Sequence, residues 1–357
     1  MRDASNPRCC SPGTGCASRP SMPDASPNLP GRREVSMRIE VGRGGLLTTV
    51  QDLGRPGHAW LGVGRGGVAD AYSARVANLL VGNREDAALL EITLSGPALH
   101  FPAAARIALC GADIEATAND EALPGWRPVE LPAGSTLSLG RCRRGARAYL
   151  AIAGGVVVPR VLGSAATDLR GGLGGLAGRA LRKGDALETG APSRSVPARH
   201  APSIAAWSIN PSPDIDFHAS TVAGLLPGAD ACAPRDVLSR HAWQVDAGSD
   251  RQGLRLTGPA IALSAPCRRP SEPVMPGTIQ CPPDGQPIIL LADAQTVGGY
   301  PRIGHVAQAD LPRLAQLRPG ETLCFHDIDA EEAVALQRAQ QARLARIELA
   351  IQARLAR

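Results

Sequence analysis

Short apolar runs separated by glycine, proline and polar residues dominate the chain from residue 37 onward. RIEV (38–41), LLTTV (46–50), ALLEITL (88–94), ALHF (98–101), RIALC (106–110), DIEATA (113–118), STLSL (135–139) and AYLAIAG (148–154) read as strands, because each is short, apolar and bounded by turn residues. One stretch between them has another period. In ADAYSARVANLLVG (69–82), Tyr72, Val76, Leu79 and Leu80 fall on one helical face. Gly82 suits the end of that helix. Strands resume after a stretch dense in Pro, Ser and Ala. From residue 329 the period is helical again: Asp329 and Glu332 form an N-terminal capping pair, and Leu344, Ile347, Ile351 and Leu355 form a stripe. Such a stripe packs on its own domain or on a partner.

The strand pattern repeats. LSGPAL (94–99) recurs as LTGPAI (256–261), and LRKGDAL (181–187) recurs as LRPGETL (317–323). VPRVLGSAATDL (158–169) aligns without gaps to YPRIGHVAQADL (300–311), with Pro159/Pro301, Arg160/Arg302, Ala165/Ala307, Asp168/Asp310 and Leu169/Leu311 identical. Three blocks returning in the same order indicate a duplicated domain. The expected architecture is mostly β, with two similar β units, few helices and a C-terminal helix. Residues 1–36 read as a disordered extension ahead of Met37, 37–190 as the first unit, 191–214 as a linker, 215–328 as the second unit and 329–357 as the helix. A cleft between duplicated units is a favoured place for a ligand.

Composition narrows the function. Aromatics make up 3% of the 357 residues, so the core is aliphatic; Gly 40 and Pro 31 fit a turn-rich protein. The net charge is +5, carried almost wholly by arginine, with Lys183 the single lysine. No basic block or stacking aromatics accompany it, so no nucleic-acid partner is expected. No apolar run approaches a membrane span. Nine cysteines are scattered without a C-x-x-C pair, so neither zinc nor a disulfide framework is suggested, and no metal site is expected. Reduced core thiols suit a cytoplasmic protein.

Familiar motifs fail on context. GVGRGG (62–67) matches G-x-G-x-x-G, but no alternating βαβ pattern surrounds it; a glycine-rich connection lining the cleft is the better reading. RGGLGGLAGRALRKGD (170–185) lacks the G-K-[ST] ending, so no Walker-type ATP loop is present. Lys183 lacks the neighbours of a biotin-carrying lysine. His305 reads as structural.

The densest chemistry is in LADAQTVGGYPRIGHV (291–306). Asp293, Gln295, Thr296 and Tyr300 combine acid, amide and hydroxyl groups. Gly298 and Gly299 let backbone N–H groups approach a ligand. The first copy's counterpart, AIAGGVVVPRVLGS, is two residues shorter and far less polar. A turn needed only for folding does not require that asymmetry. On residue type alone, a well-bonded loop and a binding loop both remain open.

Longer blocks carry a family resemblance. VQDLGRPGHAWLGVGRGGVADAYSARVANLLVGN (50–83), LLEITLSGPAL (89–99), LGSAATDLRGGLGG (162–175), PGTIQCPPDGQPIILLADAQTVGGYPRIG (276–304) and ADLPRLAQLRPGE (309–321) closely resemble the biotin-dependent carboxyltransferase family. That family is also described as the C subunit of 5-oxoprolinase, KipA-like or allophanate hydrolase subunit 2. The resemblance runs from about residue 37 to 335. It implies two cyclophilin-like β-barrel units. It also implies partners, a KipI-like B subunit and an A subunit, with which a 5-oxoprolinase cleaves 5-oxo-L-proline to L-glutamate at the cost of ATP. Related domains in urea carboxylase move a carboxyl group from carboxybiotin, which here has to arrive on another chain, to urea. A regulatory role, binding a KipI-like kinase inhibitor, is a further implication. Each enzyme substrate is a small amide.

With that substrate class, residue types suggest roles. Gln295, Thr296 and the amides of Gly298 and Gly299 are expected to hold a lactam carbonyl or its oxyanion, with Tyr300 beside them. Arg302 or Arg251 is expected to pair with a carboxylate, and Asp293 to orient water or act as base. Asp70, Glu91, Asp168 and Arg170 are further candidates for the cleft wall.

Overall fold

Two sheets take up the apolar runs. The computed structural model describes residues 35–217, 220–230, 232–234, 236–264 and 270–356. Most of the expected extension, with Cys9, Cys10 and Cys16, lies outside the described residues, as does Cys267. The first strand, Val35–Arg43, begins slightly ahead of Met37.

The first sheet has eleven strands. Its spine is a pair of long antiparallel strands, Ala105–Ala118 and Ser135–Ile152. Register shifts between Gly111 and Ala116 bend the pair, as bulges do. Along Ser135–Ile152, buried and exposed residues at first alternate, and then every residue from Gly145 on is buried. The change has a physical cause. Leu150 and Ile152 face the sheet's own core with Ile39, Leu90, Leu99 and Phe101. Tyr149 and Ala151 face a second cluster under the helices. A strand covered on both faces reads as a continuous apolar run.

That cover is helical. Helix α1, Ala71–Leu80, buries Tyr72, Val76, Leu79 and Leu80 as their spacing predicts. Asp70 caps it by accepting from Ser73 N (2.9 Å), and Gly82 closes it at φ +81°. A short helix, α2, spans Leu311–Leu314. The terminal helix α3, Ala330–Leu355, starts at Asp329, whose carboxylate accepts from Glu332 N (2.8 Å). Its Leu344, Ile347, Ile351 and Leu355 pack into the α1 cluster. Among the described residues, no helix is long and apolar enough to cross a membrane.

The second sheet is a closed seven-stranded barrel: Ser220–Pro227, Arg302–Val306, Thr278–Gln280, Ile288–Leu290, Gly253–Thr257, Trp243–Val245 and Thr322–Asp327. A parallel pairing of Ser220–Pro227 with Thr322–Asp327 closes it. Trp243 fills the interior, and its indole N–H donates to Leu238 O (2.9 Å). Between the two sheets, Ser203–Ile204 adds an edge strand to the first by pairing with Pro128–Leu131.

The duplication is visible in geometry. In LRKGDAL and LRPGETL, Leu181 and Leu317 are both 5% exposed. Arg182 N donates to the Asp185 carboxylate (2.7 Å) and Arg318 N to the Glu321 carboxylate (2.9 Å). Gly184 and Gly320 take φ +88° and +85°, the left-handed region that favours glycine. Each turn then leads into a strand, Ala186–Gly190 in one copy and Thr322–Asp327 in the other.

Candidate functional site

Loops from both β units meet at one place. The 52–70 connection of the first unit lies against residues 291–296 of the second. Gly66 N donates to Ala292 O (3.1 Å). A Cβ on Gly64 would sit 3.0 Å from Ala294 O, and one on Gly66 would sit 3.8 Å from Asp293 Oδ1. Gly64 therefore serves the close approach of the two loops, while Gly67 serves a close turn against Asp52 and Gly54 of its own loop.

A buried ionic centre crosses this junction. Arg251 is 5% exposed. Its Nε donates to Asp293 Oδ2 (2.7 Å) and its Nη2 to Asp293 Oδ1 (2.9 Å), a bidentate pair. On the other side it donates to Glu91 Oε1 and to Gly67 O. Glu91 sits on the strand Leu89–Thr93 of the first sheet. Its Oε2 accepts from Ala69 N (2.8 Å) and from the Tyr149 hydroxyl (3.0 Å). Tyr149 in turn accepts from Asp70 N (2.8 Å). Gln316, from beside α2, donates to Asp70 Oδ2 (2.8 Å) and to Arg147 O (3.0 Å), and accepts from Arg147 N (3.1 Å). Arg147 also donates to Ala315 O.

Burial and charge set the protonation of this centre. Burial opposes the charge on Arg251, yet Glu91 and Asp293 outweigh it and hold the guanidinium firmly protonated. Burial likewise penalises Glu91, but Arg251 and Arg147 together keep its carboxyl below the ordinary value. At Asp293 burial wins over Arg251, and the carboxyl lies above its ordinary value. Burial pushes Asp70 up to about 6 despite its bonds from Ser73 and Gln316.

All the sequence-derived candidates except Arg302 fall into three groups. Arg251, Asp293, Glu91 and Asp70 join in the buried centre. Gln295, Thr296, Gly298, Gly299 and Tyr300 continue the loop beyond Asp293. Gln295 Nε2 donates to Gln280 Oε1 (3.3 Å), and Thr296 O accepts from Val274 N (3.0 Å). Val297–Gly298 pairs with Glu272–Pro273 in a two-stranded ribbon. A Cβ on Gly298 would lie 2.4 Å from Gln280 Nε2, so the ribbon passes too close for a side chain. Tyr300 is 48% exposed. Asp168 and Arg170 form the third group, on the glycine-rich loop of the first unit. Asp168 Oδ1 accepts from Arg170 N (3.0 Å) and Gly171 N (2.9 Å) and shapes its own turn.

Two expected partners for a carboxylate are already engaged. Arg251 holds Glu91 and Asp293. Arg302 is paired with Asp230 (3.3 Å) and with Glu272 of the ribbon. His305 is half-buried beside Thr278, and burial lowers its pKa. Sequence reasoning did not single out Arg55, Arg147, Tyr149, Gln280 or Gln316. Arg55 lies in the quoted block VQDLGRPG, but nothing local marks it as buried. The others sit inside strands or beside turns, and only tertiary contact brings them to the centre.

Known proteins share this chain's sequence and fold over most of its length. The family model described as "Carboxyltransferase domain, subdomain A and B" matches residues 61–327. The C subunit of 5-oxoprolinase from Escherichia coli (strain K12) is 39% identical over 306 residues, covering 85% of this chain and 95% of that protein. The C subunit of 5-oxoprolinase from Haemophilus influenzae is 36% identical over 294 residues, covering 81% of this chain and 91% of that protein. Among solved structures, the Kluyveromyces lactis urea carboxylase superposes with a TM-score of 0.80 at 32% identity, over 88% of this chain and 29% of that one.

Proposed function

This chain belongs to the carboxyltransferase-domain family, subdomains A and B, and from that footing we propose that it is the C subunit of an ATP-dependent 5-oxoprolinase. One observation carries the reading: the chain corresponds to 95% of the Escherichia coli protein of that name. In the complex, water adds to the lactam carbonyl of 5-oxo-L-proline, the C–N bond breaks, the nitrogen takes a proton and L-glutamate leaves. A KipI-like B subunit and an A subunit complete the assembly, which uses ATP; on this chain the Gly-rich stretch 170–185 lacks the G-K-[ST] ending of a Walker loop.

Residue type suggests a division of labour. Gln295, Thr296, Tyr300 and the N–H groups of Gly298 and Gly299 hold the lactam carbonyl as it gains negative charge. Asp293 acts as a positioning residue: both of its oxygens accept from Arg251, so it fixes the 291–296 loop against the first unit. Loss of a single oxyanion donor costs roughly 100-fold in turnover in comparable sites. Gln295→Ala is accordingly expected to lower glutamate release by the co-purified complex at least ~10-fold. Unchanged release would remove Gln295 from the site.

A second reading has its own support in the fit to the Kluyveromyces lactis urea carboxylase. In it the chain passes a carboxyl group from carboxybiotin on another chain to a small amide. Turnover abolished by avidin would favour it over the oxoprolinase.

A further inference from the structure

The loop junction contains a buried cation that forms no salt bridge among the described residues. Arg55 is 1% exposed. Its Nη2 donates to Ala166 O. Its Nε and Nη1 are buried and have no hydrogen-bond partner among the described residues. The nearby acids are committed elsewhere. Asp52 accepts from Gly54 N (2.8 Å), Ser164 Oγ (2.6 Å) and Ala165 N (2.6 Å). Asp293 accepts twice from Arg251, and Asp168 accepts from Arg170 N and Gly171 N. Burying a charge without a counter-ion is strongly unfavourable, so this arrangement calls for an anion.

The walls beside the guanidinium are glycine. A Cβ on Gly66 would stand 3.7 Å from Arg55 Nη1, in ordinary contact, whereas one on Gly174 would meet Ala166 O at 2.1 Å before reaching Nη2 at 3.0 Å. The Gly174 side of the guanidinium is thus closed by the Ala166 backbone, and the Gly66 side, next to Nη1, is the one with room. The Gly66 side also faces Asp293 Oδ1, so an anion held by Nη1 lies next to the 291–296 loop.

We propose that Arg55 is the carboxylate-binding group of this site and receives the carboxylate of a small lactam acid. The role that residue type suggested for Arg251 or Arg302 passes to the one buried arginine of the junction that lacks an acid partner among the described residues. Naming the lactam acid rests on the 5-oxoprolinase reading; the anion site itself does not.

The test separates the two. In the reconstituted complex, Arg55→Met is expected to raise KM for 5-oxo-L-proline by about 30-fold, the range of a lost charged hydrogen bond, while the purified variant keeps its thermal midpoint. A KM within about twofold of wild type, far below the cost of such a bond, overturns the proposal and leaves the oxoprolinase reading intact. If Arg55→Met does not fold, wild type alone decides. 2-Pyrrolidinone, the same lactam without the carboxylate, is expected to inhibit at least ~10-fold more weakly than 5-oxoproline binds; equal binding overturns the proposal. If the wild-type complex does not turn over 5-oxoproline, that reading fails, and the anion site is judged by NMR on the full chain. The Arg55 Nε–H signal is then expected to move with sodium acetate and not with sodium chloride. A signal indifferent to acetate overturns it.

Discussion

Arg251 and Arg55 are both buried at the junction, but their energetics have opposite signs. Arg251 separates two carboxylates, so its removal leaves Glu91 and Asp293 uncompensated. Arg251→Met is expected to destabilise the chain by roughly 3–5 kcal/mol in urea unfolding, and adding Glu91→Gln should restore part of that loss. A cost below ~1 kcal/mol, the scale of a surface pair, would mean that the centre does not hold the units together. Arg55 has no acid partner to lose among the described residues, so Arg55→Met is expected to leave stability unchanged or higher. Asp70 gives a pH signature. Its carboxyl is raised from 3.8 to about 6, so the folded state binds a proton that the unfolded state has released. That contribution is fully present below pH ~4 and is lost as pH rises through about 6. Relative to Asp70→Asn, wild-type stability should therefore fall by roughly 3 kcal/mol across that window, at about 1.4 kcal/mol per pKa unit. A flat difference in paired denaturation curves would contradict the buried, proton-holding Asp70.

At the scale of elements, what the sequence made legible was what repeats or has a period. The Asp329 cap and the stripe of α3 follow from spacing, because one side of α3 is covered, whereas α1 buries eight of its ten residues, more than its predicted face. The paired turns at Gly184 and Gly320 were visible as LRKGD and LRPGE, because the same turn demands the same residue types. Strand Ser203–Ile204 was hidden in a Pro- and Ser-rich stretch: two residues at a sheet edge leave no pattern. The docking of α3 on α1 was not legible either, since a stripe does not name its partner. It is testable: Ile351 is 1% exposed, and Ile351→Ala is expected to cost roughly 2–5 kcal/mol. A loss under about 0.5 kcal/mol, the level of a surface change, would mean that α3 does not pack there.

For the molecule as a whole, the duplication accounts for where the proposed site lies and the asymmetry for why only the second copy supplies its polar loop. The polar elaboration 291–300 belongs to the second unit and meets the first unit's glycine-rich connection. Sequence marked both stretches, Asp293 and Gln295 through their chemistry and Gly64 through the G-x-G-x-x-G spacing it shares with Gly62 and Gly67. It could not mark which arginines are already paired, because Glu91, Asp230 and Glu272 lie far along the chain from Arg251 and Arg302. The central claim is that this junction is the lactam site of a 5-oxoprolinase. The most direct measurement is glutamate release from 5-oxo-L-proline by the chain co-purified with its partner subunits, with ATP, comparing wild type and Gln295→Ala. The predicted result is release that requires every subunit and ATP and drops at least ~10-fold in the variant. No glutamate from the wild-type complex, or equal release from both, would contradict that claim.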